Sequence, residues 1–256
     1  MRLTRWDANV LARAATVATL ALALIWLVTA ATDEGGIAWT ERAGRTLPLA
    51  PLCAAIGAWG SLVAVQARGE ALALESLGRS PPQITAAAVA GGALVGLVAA
   101  AVLGAVAAVD ITGFYPTAVH ASSWRWHSGD FVDEVRGMRV TSDGTLVALA
   151  GLPAARALPG VPAHGRLAAA LETALSGIAL PLLVARTMMQ RASSVPRRPS
   201  RFGTPRLHAG LVAGVAVTAS VALFQAAAAR RLSAAWAAVP PLFVLAYAAR
   251  PLREPA

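Results

Sequence analysis

The 256-residue chain is 57% hydrophobic and only 14% charged, with a mean hydropathy of +0.60 and a formal net charge of +9. A soluble globular domain carries about 25% charged residues, so this composition excludes an ordinary water-soluble enzyme and points to a bilayer as the solvent. All 22 basic residues are arginine, and the single cysteine, Cys53, excludes an intramolecular disulfide and a cysteine-rich metal site.

A helix needs about 20 mostly apolar residues to cross a hydrocarbon core. Runs of this kind occur at 10–31, 47–67, 84–109, 167–185, 207–229 and 232–249, the last being the shortest. Arg2, Arg5 and Arg13 lead into the first run and alanines end it, as in a signal peptide. Its apolar part exceeds the roughly 7–15 residues of a signal sequence, so it is read as a span. Six spans put both termini on one side. With the termini inside, the internal segments hold 13 arginines against four acids, Asp7, Glu70, Glu75 and Glu254. The other nine arginines are matched by nine acids, so the whole +9 falls on the proposed cytoplasmic face, as the positive-inside rule requires. No nucleic-acid partner is expected, because the arginines of 191–206 flank spans and have only Phe202 among them for stacking.

The third run is rich in alanine and carries Gly91, Gly92, Gly96 and Gly104. Small residues at spacings of three and four let helices approach closely in lipid, so this span is expected to have neighbours on several sides. Between the second and third runs lies RGEALALESLGRSPP, residues 68–82. Helix formers from Glu70 to Leu77, a stop at Gly78 and the breakers Pro81 and Pro82 predict a short cytoplasmic interfacial helix, with an ordinary loop as the alternative. On the outer side, residues 110–165 contain a predicted hairpin, 135–140 and 145–149 about Ser142-Asp143-Gly144, and a further strand within 122–131. Residues 151–165 read as a Pro- and Gly-punctuated linker.

The stretch LPLAPLCAAIGAWGSLVAVQARGEALALESLGRSPPQI, residues 47–84, resembles the second span and coupling helix of the LptF and LptG permease family. Glu70, Leu74, Gly78, Ser80 and Pro81 fall on the family's positions, while Gly69 replaces the usual Ser and Ala71 the usual Leu. His164, Arg166, Leu167, Pro181 and Leu182 are similar to its fourth span, and Trp236, Pro240, Leu242 and Phe243 to its sixth, with Ala170 and Pro241 departing from its Pro and Asn. The resemblance implies an all-α membrane protein of the bacterial inner membrane: 1–109 with three transmembrane helices and a coupling helix at 69–78, a small β-containing periplasmic insertion at 110–165, and three more helices in 166–256. It implies as partners an LptB-like ATPase dimer docked on the coupling helix, a second LptF- or LptG-like subunit and a single-span LptC-like protein, with lipopolysaccharide or a related lipid as cargo. The larger departure is the insertion, where about 56 residues stand in place of a jellyroll of well over a hundred; eight strands do not fit. A non-transporting membrane scaffold on the same fold, or a phospholipid exporter, are the alternative readings.

Other chemistry is sparse. No phosphate-binding GxxxxGK[ST] loop occurs and the chain has no lysine, so ATP hydrolysis belongs to another polypeptide and no cofactor is expected. His120 and His127 share a loop with Asp130 and Asp133 and are a weak metal candidate against solvated loop residues. Glu172 is an ionisable residue inside a span, where a carboxylate either faces a cavity or snorkels to the interface, and it joins the arginines at the outer interface as a lipid-headgroup candidate. Arg42, Arg45, Arg230 and Arg231 sit at the outer interface; the resemblance makes them candidates for lipid phosphates, and interfacial anchoring is the alternative.

Overall fold

The computed structural model describes residues 4–33, 36–115, 124–127, 129–133, 138–148, 161–192 and 205–250. The chain opens on α1, Arg5–Thr32, where the Thr4 hydroxyl accepts from the Asp7 backbone N–H and the Asp7 carboxylate accepts from the Thr4 backbone N–H. An eight-residue helix, α2 (Trp39–Thr46), and a 3-10 turn, Leu47–Leu49, lead into α3, Ala50–Ala67. Then come α4 (Glu70–Ser76), α5 (Pro81–Ala105), four short strands, α6 (Gly165–Ala192), α7 (Pro205–Ala228), a 3-10 segment (Ala234–Ala238) and α8 (Val239–Ala249).

Among the described residues five helical stretches are long and apolar enough to cross a membrane: Arg5–Thr32, Trp39–Ala67, Pro81–Ala105, Gly165–Met188 and His208–Ala228. The sixth expected span differs. Its residues form a shorter apolar stretch, Ala234–Ala249, that begins as a 3-10 turn and becomes α-helical only where Pro240 and Pro241 occupy the first turn of α8. The second span gains an amphipathic start, because α2 carries Glu41, Arg42 and Arg45 and continues the helical path of α3 outward.

The expectation that the third span meets several neighbours is met through its glycines. A Cβ on Gly91 would lie 2.3 Å from the Leu11 carbonyl oxygen in α1, and one on Gly92 would lie 2.4 Å from the Ala54 carbonyl oxygen in α3. At Gly96 the neighbour is Gly177 in α6, and at Gly104 it is Ala170 in the same helix. One helix therefore packs backbone to backbone against three others, which apolar burial alone would not drive in lipid. Helix α1 contributes little to this interior beyond Val10, Ala14 and Ala18; its Leu20, Leu24 and Leu27 face outward.

Beyond α5, Phe114 and Tyr115 seal the end of the bundle where α5 finishes and α6 starts. Both rings meet Phe224 of α7 edge to face, with centroids 5.5 and 5.2 Å away, and the Tyr115 hydroxyl donates to the Gly165 carbonyl at 2.6 Å. Burial pushes the Tyr115 phenol up to about 12.

The insertion forms an antiparallel meander of β1 (Trp124–His127), β2 (Asp130–Asp133), β3 (Met138–Val140) and β4 (Leu146–Ala148), in that order. The hairpin about Ser142-Asp143-Gly144 is present, with Gly144 at φ +83°. The single strand expected within 122–131 is instead two, because Gly129 at φ +91° reverses the chain and pairs Trp126 with Phe131. Most of the expected linker, up to residue 160, lies outside the described residues.

Candidate functional site

Helix α4 is set off at both ends by left-handed glycines, Gly69 at φ +71° before it and Gly78 at φ +83° after it. These positions have a steric cost for any side chain, so the two glycines fix where the short helix starts and stops between α3 and α5. Ser80 and Pro81 act locally: the Ser80 backbone N–H donates to the Gln83 side chain at 3.0 Å and Pro81 takes the first position of α5.

Three contacts bind α4 and its exit to the start of α1. The Trp6 indole Nε1 donates to Glu70 Oε2 at 2.9 Å, and Arg68 lies 3.5 Å from the other Glu70 oxygen. Arg79 grips Asp7 through both terminal nitrogens, each at 2.9 Å, while its guanidinium lies 5.5 Å from the centroid of the Trp6 ring. The Asp7 carboxylate raises the Arg79 guanidinium further above its ordinary value. Of the sequence candidates, Glu70 is thus half-buried and already partnered. Leu74 packs with Ala71 against the inner cluster of Val10, Leu62 and Ile84, while Leu72 and Leu77 are 71% and 80% exposed.

At the other end of the bundle the four candidate arginines divide into two kinds. Arg42 and Arg45 both reach Asp33, at 3.0 and 3.3 Å, Arg45 also reaches Glu41 at 2.6 Å, and Arg42 lies 5.8 Å from the Trp26 ring centroid. Their charge is largely balanced at short range. Arg230 and Arg231 lie at the C-terminal end of α7, Arg230 at φ +57°, and their backbone N–H groups close the helix onto Ala227 and Ala226. Both side chains are exposed, and neither has a carboxylate partner among the described residues.

Glu172 sits in the second turn of α6 and, among the described residues, forms no ion pair with these arginines. It accepts a hydrogen bond from the Ser176 hydroxyl at 2.8 Å and another from Ser220 of α7. It lines a cavity of about 210 Å³ with Leu52 of α3 and Phe224, and a second, water-sized cavity of about 20 Å³ with Ala216 and Val244.

Family models, curated proteins and solved structures were each searched, and none matches the chain.

Among the described residues no three His, Cys, Asp or Glu side chains come together. His127 and Asp130 are cross-strand neighbours, but Asp130 is bound by Arg139 and the Ser142 backbone N–H, and His120 lies outside the described residues. Sequence reasoning assigned no role to Trp6, Asp7 or Arg79, and placed Arg166 only within a motif. Arg166 is the C-terminal cap of α5, donating to the carbonyls of Leu103, Val106, Ala107 and Val109 at 2.8 to 3.1 Å. Arg186 caps α8 in the same way, reaching the Ala248 and Arg250 carbonyls over the Tyr247 ring.

Proposed function

We propose that this chain is the membrane subunit of an ABC-type lipid exporter, similar to LptF and LptG, and that a separate LptB-like ATPase dimer docks on α4 and drives it. The observation that carries the reading is a short helix bonded to α1 through Trp6–Glu70 and Asp7–Arg79 and packed on the bundle through Ala71 and Leu74, with Leu72 on it and Leu77 at its end left uncovered. An exposed apolar pair on a pinned helix suits a partner that pushes, because force applied to it passes into the bundle rather than into a flexible loop.

The reading takes the five long helices together with Ala234–Ala249 as six passes through a bacterial inner membrane, both termini and α4 being cytoplasmic. The last pass spans about 26 Å with its 3-10 start, close to a thin hydrocarbon core. Closure of the ATPase dimer would squeeze the space between this chain and a second six-helix subunit, moving lipopolysaccharide or a related lipid outward. Arg230 and Arg231 are the cations at the outer rim best placed to meet lipid phosphate, since Arg42 and Arg45 are already paired.

The shortness of the insertion, with four short strands among its described residues, favours one second reading, a scaffold that keeps the permease helices without a lipid hand-over site. Replacing Glu70 by Arg tests the first reading: it loses the co-purifying ATPase and ATP-dependent lipid release, and unchanged co-purification and release would overturn it.

A further inference from the structure

A carboxylate inside a bilayer is normally matched by a cation, a metal or a proton, because an isolated charge there costs several kcal/mol. Glu172 lies about 10 Å along α6 from its outer end, and among the described residues it has no arginine or histidine partner. Its two hydrogen-bond partners are neutral hydroxyls, Ser176 and Ser220, so they orient the carboxyl group without balancing its charge. A carboxylate has about four lone-pair sites, and two remain for a ligand.

The space beside it has a definite character. The larger cavity, of about 210 Å³, is bounded by Leu52, Phe114, Val217 and Phe224, with Glu172, Ser176 and Ser220 as its ionisable and hydroxyl-bearing lining. An apolar recess with one converging polar cluster is the usual form of a small-ligand site. Its volume accommodates an aminoethyl group and several methylenes, whereas the water-sized cavity on the far side of Glu172 does not. A phosphate is excluded by the sign of the charge.

We infer that Glu172, Ser176 and Ser220 form a binding site for the primary ammonium group of an amphiphile, whose apolar part lies against Leu52, Val217 and Phe224. This goes beyond the exporter reading, since it requires the helices to be in lipid but needs neither the ATPase nor a second subunit. Glu172 supplies the counter-charge and the charge-assisted hydrogen bonds; the serines hold its carboxyl group in position.

The test uses the full chain alone in nanodiscs made from equal parts of phosphatidylethanolamine and phosphatidylglycerol, with the lipid retained after detergent extraction counted by native mass spectrometry. The wild type retains phosphatidylethanolamine over phosphatidylglycerol by about tenfold, the size of one good charge-assisted contact. Glu172→Gln, which keeps the shape and the serine contacts, abolishes that preference. Thermal stabilisation by each lipid is the second readout, so that a variant with a lower melting temperature is still scored by its lipid selectivity. If free ethanolamine stabilises the wild type and not Glu172→Gln, the ammonium site stands with a soluble amine as its ligand. Equal selectivity in wild type and Glu172→Gln overturns the proposal and assigns the carboxyl group a proton instead. Since no ATPase is present, failure here leaves the exporter reading untouched, and failure of ATPase docking leaves this site untouched.

Discussion

Gly96 and Gly177 meet without side chains between them: a Cβ on Gly96 would lie 2.7 Å from the Gly177 Cα, and one on Gly177 would lie 2.9 Å from the Gly96 Cα. The obstacle in both directions is backbone, which cannot swing aside. A Gly96→Val or Gly177→Val variant must therefore push α5 and α6 apart, with an overpacking cost of about 1–3 kcal/mol. Gly104→Ala is the control, because its added Cβ would only touch the Ala170 side chain at 3.4 Å. Thermal unfolding in detergent should show a lower melting temperature for the two valine variants and little change for Gly104→Ala.

Arg166 joins the C-terminal end of α5 to the start of α6, two helices that the strand insertion separates in sequence. Its guanidinium satisfies four carbonyls at and beyond the end of α5, a task no single neutral side chain performs. Arg166→Ala should cost about 1.5–3 kcal/mol, and Arg166→Lys should recover only part, since an ammonium lacks the fork that spans four acceptors. Melting temperature and amide exchange at residues 103–109 check this; equal behaviour of Lys and Arg would contradict it.

The Asp7–Arg79 pair predicts how α4 is held. Arg79→Gln removes the grip on α1 without disturbing the Asp7–Thr4 cap, so amide exchange across Glu70–Ser76 should rise several-fold while that of α5 stays unchanged. Asp7 raises the Arg79 guanidinium further above its ordinary, already strongly basic value, so the arginine's share of stability is fully present at every pH below that value. Protection of α4 should accordingly be constant through the neutral and alkaline range.

Hydropathy made the five long spans legible, and the glycines of the third run announced close neighbours before any contact was known. The ends were less legible because caps rather than hydropathy set them. Thr4 and Asp7 start α1 before its apolar run, and Ser80 with Gln83 starts α5 at Pro81 rather than Ile84. Helix α2 escaped notice because its eight residues are too few and too polar for a span signal. The candidate site was legible as a list of charges, not as a network. Nothing local says that Trp6 reaches Glu70, 64 residues on, that Asp33 occupies both Arg42 and Arg45, or that Arg166 serves carbonyls about 60 residues upstream.

Asp143 gives the insertion a pH dependence. Its carboxylate accepts from the Thr141 hydroxyl, and from the Thr145 hydroxyl and backbone N–H at 2.8 and 3.2 Å, which holds it at about 2, below the ordinary 3.8. A carboxylate lowered in this way stabilises the turn fully above 3.8, and that contribution is lost as the pH falls from 3.8 toward 2. Exchange of the Thr145 amide should follow that window, and Asp143→Asn should remove the pH dependence.

The central claim is that α4 is the docking element for a driving ATPase, and Leu72 and Leu77 test it more directly than Glu70, which also serves Trp6. At 71% and 80% exposure these leucines contribute little to the chain's own stability, so a Leu72→Asp/Leu77→Asp variant should keep the wild-type melting temperature. Affinity purification from native membranes, with the partners identified by mass spectrometry, should recover a P-loop ATPase with the wild type and lose it with the double variant. Recovery of the same ATPase in equal amount with both chains would contradict the account.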